Sequence, residues 1–291
     1  MNDIECVATV HDEVGETPMW IPEEKALYWI DVEGPRVHRL ETATGAVKTF
    51  ALDFPITALA RRASGGWIAA AKTGLYFWDH RTNASSFIVD PEAAHPDLRP
   101  NDAAVDRQGR FLIGTMNQKD LAAPDGSLYQ LSPEGALRRL GTGLAVANGI
   151  ALSPNGRTLY VTDMFHSRIL AYDYDTATGD VGGRREFAAV PADAGLPDGL
   201  IVDAQGFIWS AHWGGWLLTR YDPDGRIDRQ VRMPVANPTC MAFGGARLDE
   251  LYVTTAWFML SPEERKAQPE AGNLFRLWPG VTGLVEPAFA G

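Results

Sequence analysis

Short apolar runs alternate with turn-forming residues along the chain, and residues 196–213 show this pattern clearly. An apolar run at 200–202 leads through a turn at Gln205-Gly206 into a second apolar run at 207–211. Two such runs joined by a glycine-containing turn predict a β-hairpin. Asp198 stands between a proline and a glycine, directly before the first run. In that place an acidic residue ordinarily forms the turn at the start of a strand.

The same arrangement occurs six times, which identifies the chain as a repeat protein. Each copy has an apolar strand, a turn and a second apolar strand, and the copies start at residues 16, 56, 101, 148, 198 and 239. The second strands are predicted at 27–31, 67–71, 111–115, 159–163, 207–211 and 251–255. Third strands, rich in aromatic residues, are predicted at 37–40, 75–78, 128–131, 169–172, 217–221 and 274–277.

Short strands repeated at this period predict the blades of a β-propeller, with about four strands in each blade. Because six copies account for nearly the whole chain, we predict an all-β fold, a six-bladed β-propeller with four-stranded blades that forms a single domain over residues 1–291. A β-sandwich or a β-helix would not require six copies in phase. A remaining strand at residues 6–10 is expected to complete the last blade, which closes the ring and removes an exposed sheet edge.

Charge and composition narrow the possible partners. The net charge of −11 and the pI of about 5.0 argue against nucleic acid or an anionic membrane as a partner. The acidic N-terminus does not form a signal sequence, and no apolar stretch approaches the length of a membrane span. Cys6 and Cys240 are too few for a disulfide framework. We therefore expect a cytoplasmic protein with reduced thiols, either a monomer or a weak homo-oligomer.

The first residue of each repeat is the strongest chemical signal. In a propeller these residues ring one mouth of the central channel, and here they are Glu16, Ile56, Asn101, Asn148, Asp198 and Thr239. Four of them carry carboxylate or amide oxygens. Two carboxylates at a narrow mouth repel one another unless they are neutralised, and an all-oxygen set suits a hard divalent cation such as Ca²⁺, Mg²⁺ or Mn²⁺. A hydrogen-bonded polar plug with water in the channel is the alternative.

Four motifs resemble those of the senescence marker protein/gluconolactonase/regucalcin family. They are Gly15-Glu16-Thr17-Pro18-Met19-Trp20, Arg99-Pro100-Asn101-Asp102 followed by Gly114-Thr115-Met116, Asn148-Gly149, and Pro197-Asp198-Gly199. The resemblance implies a six-bladed propeller that holds one divalent metal ion and hydrolyses sugar lactones. It also implies that Glu16, Asn148 and Asp198 bind the metal, that Asp198 is the general base, and that Arg99 and Asn101 hold the substrate. Ca²⁺ is the favoured ion, and Zn²⁺, Mg²⁺, Mn²⁺ and Fe²⁺ are compatible.

One position departs from that resemblance. Three residues after the methionine of Gly-Thr-Met, some animal members have an acidic residue that contacts the sugar, whereas this chain has Lys119. We expect Lys119 at the substrate site, where a base in place of an acid changes which sugar is favoured. Residues 259–269 are more similar to bacterial sugar lactonases. In that segment Ser261, Pro262 and Glu264 predict an N-capped helix, which either walls the site or packs on the rim.

The predicted function is metal-dependent hydrolysis of a five- or six-carbon aldonolactone to the sugar acid. The metal polarises the carbonyl, and Asp198 accepts a proton from the attacking water. One alternative is a metal-dependent aryl-ester or organophosphate hydrolase on the same fold. The other is a non-enzymatic propeller that binds a partner through its surface.

The sequence also predicts roles for five further residues. Asp31 and Asp163 occupy equivalent places in two repeats and are predicted to brace turns. Trp213 and Trp257 are candidates for stacking on a sugar ring. His212 either reaches the pocket or fills a core or rim position. The spacing of the histidines does not indicate a histidine-rich zinc site.

Overall fold

The structure is a computed structural model that describes residues 4–291. Within these residues the chain forms β-strands grouped into six antiparallel sheets of four strands, together with one α-helix and two 3₁₀ turns. Five sheets consist of four consecutive strands, and the sixth joins the N-terminal strand to the last three. These sheets are the predicted blades, and the predicted second and third strands match observed strands to within a few residues.

The strands and blades have the following bounds. The N-terminal strand is β1 (Glu5–Ala8), and blade 1 contains β2 (Gly15–Ile21), β3 (Ala26–Asp31), β4 (Arg36–Glu41) and β5 (Ala46–Ala51). Blade 2 contains β6 (Ile56–Arg61), β7 (Trp67–Ala71), β8 (Gly74–Asp79) and β9 (Ala84–Val89). Blade 3 contains β10 (Leu98–Val105), β11 (Phe111–Asn117), β12 (Gly126–Leu131) and β13 (Leu137–Leu144).

The second half of the chain continues in the same way. Blade 4 contains β14 (Ala147–Leu152), β15 (Thr158–Asp163), β16 (Arg168–Tyr174) and β17 (Val181–Ala189). Blade 5 contains β18 (Leu196–Val202), β19 (Ile208–Trp213), β20 (Leu217–Tyr221) and β21 (Ile227–Arg232). Blade 6 contains β22 (Pro238–Gly244), β23 (Glu250–Thr255), β24 (Leu274–Leu277) and β1, and helix α1 (Pro262–Ala267) lies between β23 and β24. The 3₁₀ turns are Met164–His166 and Ala192–Ala194.

The chain divides into two compact units. The first comprises residues up to Pro55 and Val190–Val285, and therefore contains blades 1, 5 and 6. The second comprises Ile56–Ala189 and Glu286–Gly291, and contains blades 2, 3 and 4. The first strands of blades 1, 2, 4, 5 and 6 are almost wholly buried, whereas the fourth strands of blades 1, 2 and 5 are mostly exposed. This gradient explains why the first strands have continuous apolar runs, since both faces of such a strand are covered.

Large apolar side chains fill the space between blades of the first unit. Trp20 and Trp29 of blade 1 pack with Tyr252 and Leu274 of blade 6. A second cluster joins blades 5 and 6, and its largest member is Trp209, which is fully buried. The predicted closure by the N-terminal strand is confirmed, because β1 pairs antiparallel with β24.

The second unit has its own apolar core, and the C-terminal residues bind to its blade 2. Leu112, Ile150 and Tyr172 belong to an apolar cluster shared by blades 3 and 4. The Phe289 N–H donates a hydrogen bond to the carbonyl of Arg61 in blade 2 at 2.8 Å, and the Phe289 ring is buried. None of the helices formed by residues 4–291 has the length and apolar character needed to cross a membrane.

Candidate active site

An irregularity in strand pairing marks the same place in every blade. The regular register between the first and second strands is interrupted between Glu16 and Met19, Ile56 and Ala58, Pro100 and Ala103, Asn148 and Ile150, Pro197 and Leu200, and Pro238 and Met241. Each interruption contains or begins at the predicted first residue of that repeat. Bulges of this kind re-aim side chains and are frequent beside active sites. The six sequence repeats are therefore aligned in the correct register.

In the first unit the structure places two carboxylates at these bulges. Glu16 and Asp198 are buried, with exposures of 9% and 3%. One Glu16 oxygen accepts a hydrogen bond from the Thr17 N–H at 2.9 Å, and Thr17 adopts a φ of 43°. That left-handed conformation is costly for a β-branched residue and tends to occur at functional sites. The Thr17 hydroxyl is also buried without a hydrogen-bond partner.

The blade 6 strand β22 packs closely beside both carboxylate-bearing strands. Thr239, the equivalent residue of blade 6, donates its hydroxyl to the Gly15 carbonyl at 2.6 Å. On the other side, a Cβ at Gly199 would lie 2.7 Å from the Thr239 carbonyl oxygen. Only glycine fits this approach, so the glycine after Asp198 allows β18 to pack against β22.

In the second unit two of the three equivalent residues, Asn101 and Asn148, are amides held by local hydrogen bonds, and the third is Ile56. Asn148 is buried, and its Oδ1 accepts from the Gly149 N–H at 3.0 Å. Asn101 donates from Nδ2 to the Ala147 carbonyl at 3.2 Å, which links blade 3 to blade 4. Asp102, for which the sequence pattern predicted no role, is a buried residue that accepts hydrogen bonds from backbone N–H groups. Burial raises the pKa of the Asp102 carboxyl to about 6, and those N–H groups oppose the rise.

Each predicted substrate residue of the second unit contacts a neighbouring group. Arg99 donates from Nη1 to Asn101 Oδ1 at 3.2 Å and to the Pro100 carbonyl at 2.9 Å, so the structure brings Arg99 and Asn101 together. Lys119 lies in the loop after β11 with 72% of its side chain exposed. Its ammonium is paired with Asp97 Oδ1 at 2.5 Å.

The prediction that Asp31 and Asp163 brace turns is confirmed, and the structure shows what they hold. Asp31 ends β3 and accepts hydrogen bonds from the Glu13 and Val14 N–H groups, just before Glu16. Asp163 ends β15 and accepts from the Ala145 N–H at 2.9 Å, three residues before Asn148. Each also pairs with an arginine five residues later, and this Asp-x4-Arg spacing is a sequence signal that could have been used.

The helix predicted between β23 and β24 is confirmed as α1. The Ser261 hydroxyl accepts from the Glu264 N–H, and the Glu264 carboxylate accepts from the Ser261 N–H, which is a capping box. Trp257, a predicted sugar-stacking residue, has the Arg265 guanidinium 3.6 Å from its ring centroid. Arg265 therefore occupies one face of that ring.

The donor chemistry at these bulges fits a hard divalent cation. Glu16 and Asp198 are buried acidic residues, and Asn148 contributes a buried amide at the equivalent place of its own blade. Carboxylate and amide oxygens are the ligands that Ca²⁺ and Mg²⁺ prefer. Among residues 4–291, no three His, Cys, Asp or Glu side chains form a group that could hold a metal ion.

Comparison with known proteins identifies relatives over the whole chain. The family model described as SMP-30/Gluconolactonase/LRE-like region matches residues 14–257. Regucalcin of Xenopus laevis is 33% identical over 296 aligned residues, covering 99% of this chain and 98% of the relative. The 6-deoxy-6-sulfogluconolactonase of Pseudomonas putida is also 33% identical, and all of both chains is covered.

A solved structure supports the fold. The crystal structure of a calcium-binding protein, regucalcin, from Agrobacterium tumefaciens matches with a TM-score of 0.94 and 29% identity. That match covers 100% of this chain and 98% of the other. Together with the six four-stranded sheets, it confirms the predicted six-bladed β-propeller.

Proposed function

The chain belongs to the SMP-30/gluconolactonase/LRE-like family, and from that premise we propose that it hydrolyses a sugar lactone to the open-chain sugar acid with the help of one divalent metal ion. The observation that carries the proposal is the pair of buried carboxylates, Glu16 and Asp198, at equivalent strand bulges. A relative named for lactonase activity, 33% identical over its whole length, supports the reaction class. We propose a five- or six-carbon aldonolactone as the substrate.

Glu16, Asn148 and Asp198 would hold the ion through their oxygens. When bound, a divalent ion supplies Lewis-acid polarisation of the lactone carbonyl and lowers the pKa of water. Calcium fits this oxygen donor set best, and a regucalcin of the same fold is described as calcium-binding.

The protein's own groups perform the remaining steps. Asp198 accepts the proton of the attacking water, which makes that water a nucleophile. Glu16 mainly holds the ion, and a hydrogen bond from the Thr17 N–H fixes the position of its carboxylate. Arg99 presents a forked donor to substrate hydroxyls or to the carbonyl oxygen, and its bond to Asn101 fixes the orientation of both side chains.

The test separates the roles of the two carboxylates. Asp198→Asn keeps an oxygen for the metal but cannot accept a proton, so it should retain much of its metal and lose about 10²–10⁴-fold in kcat. Glu16→Gln should bind metal more weakly and recover part of its activity when metal is added. Asp193→Asn is the matched control, since it changes an exposed aspartate five residues before Asp198. Metal content by plasma mass spectrometry and rates by pH drop on a lactone panel give both readouts.

Three results would contradict the proposal. Rescue of Asp198→Asn but not of Glu16→Gln by excess metal would reverse the assigned roles. Metal content of Asp198→Ala equal to that of the wild type would remove Asp198 from the ligand set. Turnover of an aryl ester or a phosphotriester, with no aldonolactone hydrolysed above its spontaneous rate, would replace the substrate class.

A further inference from the structure

His212 lies beside the proposed base in the first unit. It pairs with Pro197 across β18 and β19, and the bulge that contains Asp198 begins at Pro197. Side chains alternate along a strand. Because Ala211 belongs to the apolar cluster shared with blade 6, His212 projects from the other face of β19. The residue is therefore next to the candidate site and outside that cluster.

The imidazole of His212 is fixed in one orientation. Its Nδ1 lies 3.0 Å from the Ala194 carbonyl oxygen, and a carbonyl only accepts, so Nδ1 carries the hydrogen. A Cβ at Gly215 would overlap the same carbonyl oxygen and would lie 2.8 Å from His212 Cβ. Because Gly215 has no side chain, its turn can pack directly against His212. Packing therefore fixes the ring in addition to its hydrogen bond.

The other ring nitrogen is a buried acceptor without a partner. His212 is 1% exposed, and its Nε2 makes no hydrogen bond. Burial lowers the pKa of the imidazole to about 4, so the ring is neutral at neutral pH. With the hydrogen on Nδ1, Nε2 offers only a lone pair. Buried acceptors left without a donor are rare and need an explanation.

We propose that His212 Nε2 accepts a hydrogen bond from a ring hydroxyl of the lactone and makes the site selective for hydroxylated lactones. This inference rests on the proposed function and adds a specificity-determining residue to it. A site built to hydrogen-bond a substrate hydroxyl discriminates against the analogue that lacks it, because the buried polar group is then left unpaired. An aldonolactone carries several hydroxyls, whereas δ-valerolactone has the same six-membered ring and none.

Two substitutions distinguish the acceptor role of Nε2 from the hydrogen bond between Nδ1 and the Ala194 carbonyl. His212→Asn can keep the bond to the Ala194 carbonyl but has no acceptor at the Nε2 position. His212→Gln can place an amide oxygen near that position but lacks the group that bonds Ala194. We expect His212→Asn to lose about 10- to 100-fold in kcat/KM on glucono-1,5-lactone, the usual effect of removing one partner of a buried hydrogen bond. On δ-valerolactone it should lose less than about 3-fold, and His212→Gln should retain most of its activity on both.

Either of two results would overturn the inference. Equal losses on the two lactones would mean that His212 acts on water or on the fold. Full activity of His212→Asn combined with loss in His212→Gln would mean that only the bond to Ala194 matters. If the wild type turns over neither lactone, the proposed function fails. Binding of D-glucose, a polyhydroxylated six-membered ring without the lactone carbonyl, then still tests His212: calorimetry should give about 10-fold weaker binding to His212→Asn, and unchanged binding would refute the acceptor role.

Discussion

Replacing Arg220 by methionine should destabilise blade 5 strongly. Arg220 and Asp203 are both buried, and the guanidinium donates to Asp203 Oδ2 from Nε at 2.9 Å and from Nη2 at 2.6 Å. It also pairs with Asp228 and stacks 3.7 Å from the centroid of Phe207. Methionine keeps much of the apolar stem but leaves the Asp203 carboxylate without its counter-ion.

The expected magnitude follows from the hydrogen bonds that remain. Removing one partner of a buried ion pair typically costs about 3–5 kcal/mol. Asp203 keeps bonds from the Gln205 and Phe207 N–H groups and from the Trp209 indole, so we expect the lower end of that range, about 3 kcal/mol. In a protein of this size, 1 kcal/mol corresponds to about 2 °C, and the Tm should therefore fall by about 6 °C.

Arg226→Met is the matched control in the same blade. Arg226 pairs with Asp224 at 2.5 Å, but 74% of the Arg226 side chain is exposed, and such pairs contribute about 0–1 kcal/mol. Thermal unfolding followed by tryptophan fluorescence compares the two variants in one buffer. A Tm for Arg220→Met within about 1 °C of that for Arg226→Met would refute the reasoning, because the buried pair would then contribute no more than the exposed one.

Three further predictions concern other polar groups. Asp12→Asn should lower the free energy of unfolding, measured in urea, by about 2–3 kcal/mol. The reason is that the buried Asp12 carboxylate accepts a hydrogen bond from the Trp29 indole at 2.8 Å and bonds His38 Nε2 at 2.9 Å. A loss under about 0.5 kcal/mol would contradict this. Because the pKa of Asp102 is raised in the folded state, its contribution to stability is complete below about pH 4 and is lost as the pH rises through 6. The stability of the wild type relative to Asp102→Asn, measured in metal-free buffer, should therefore fall by about 2 kcal/mol between pH 4 and pH 7, and a flat difference would rule out the shift. Ser261→Ala should lower the local stability of helix α1 by about 1 kcal/mol. Amide hydrogen exchange in the first turn of α1 should then be faster, with little change in Tm. Unchanged exchange would show that the capping box does not stabilise the helix.

Local patterns in the sequence predicted the features that depend on neighbouring residues. The strands follow from apolar runs and turn residues, and the α1 capping box follows from Ser261 and Glu264 three positions apart. The repeat period then predicted that the first residues of the six repeats lie at equivalent points of the blades, because equivalent positions in a repeat protein have equivalent surroundings. The registers of β2, β14 and β18 bear this out at Glu16, Asn148 and Asp198.

Contacts between distant residues were not predictable in this way. Asp12, Trp29, His38 and Thr49 form one hydrogen-bonded network, yet they come from separate elements and no spacing rule links them. For the ion pair of Asp203 with Arg220, the sequence indicated only the position of Asp203. The Val-Asp-x-Gln-Gly sequence that contains Asp203 also occurs in blade 3, which marks the turn but not the strand that supplies the arginine. Cross-strand partners depend on register, and register is fixed only when the blades pack.

The pairing of β1 with β24 has a consequence for how the chain folds during synthesis. The ribosome makes β1 before its partner strand β24, and Phe275, which pairs with Cys6, lies about 270 residues later in the chain. At about 5–20 residues per second, β1 waits on the order of 15 to 50 s before that partner exists. During this interval its backbone donors and acceptors are open to other chains. Because β1 has only four residues, it offers few backbone groups for pairing with a wrong strand, and blade 6 can be completed only after β24 has been synthesised.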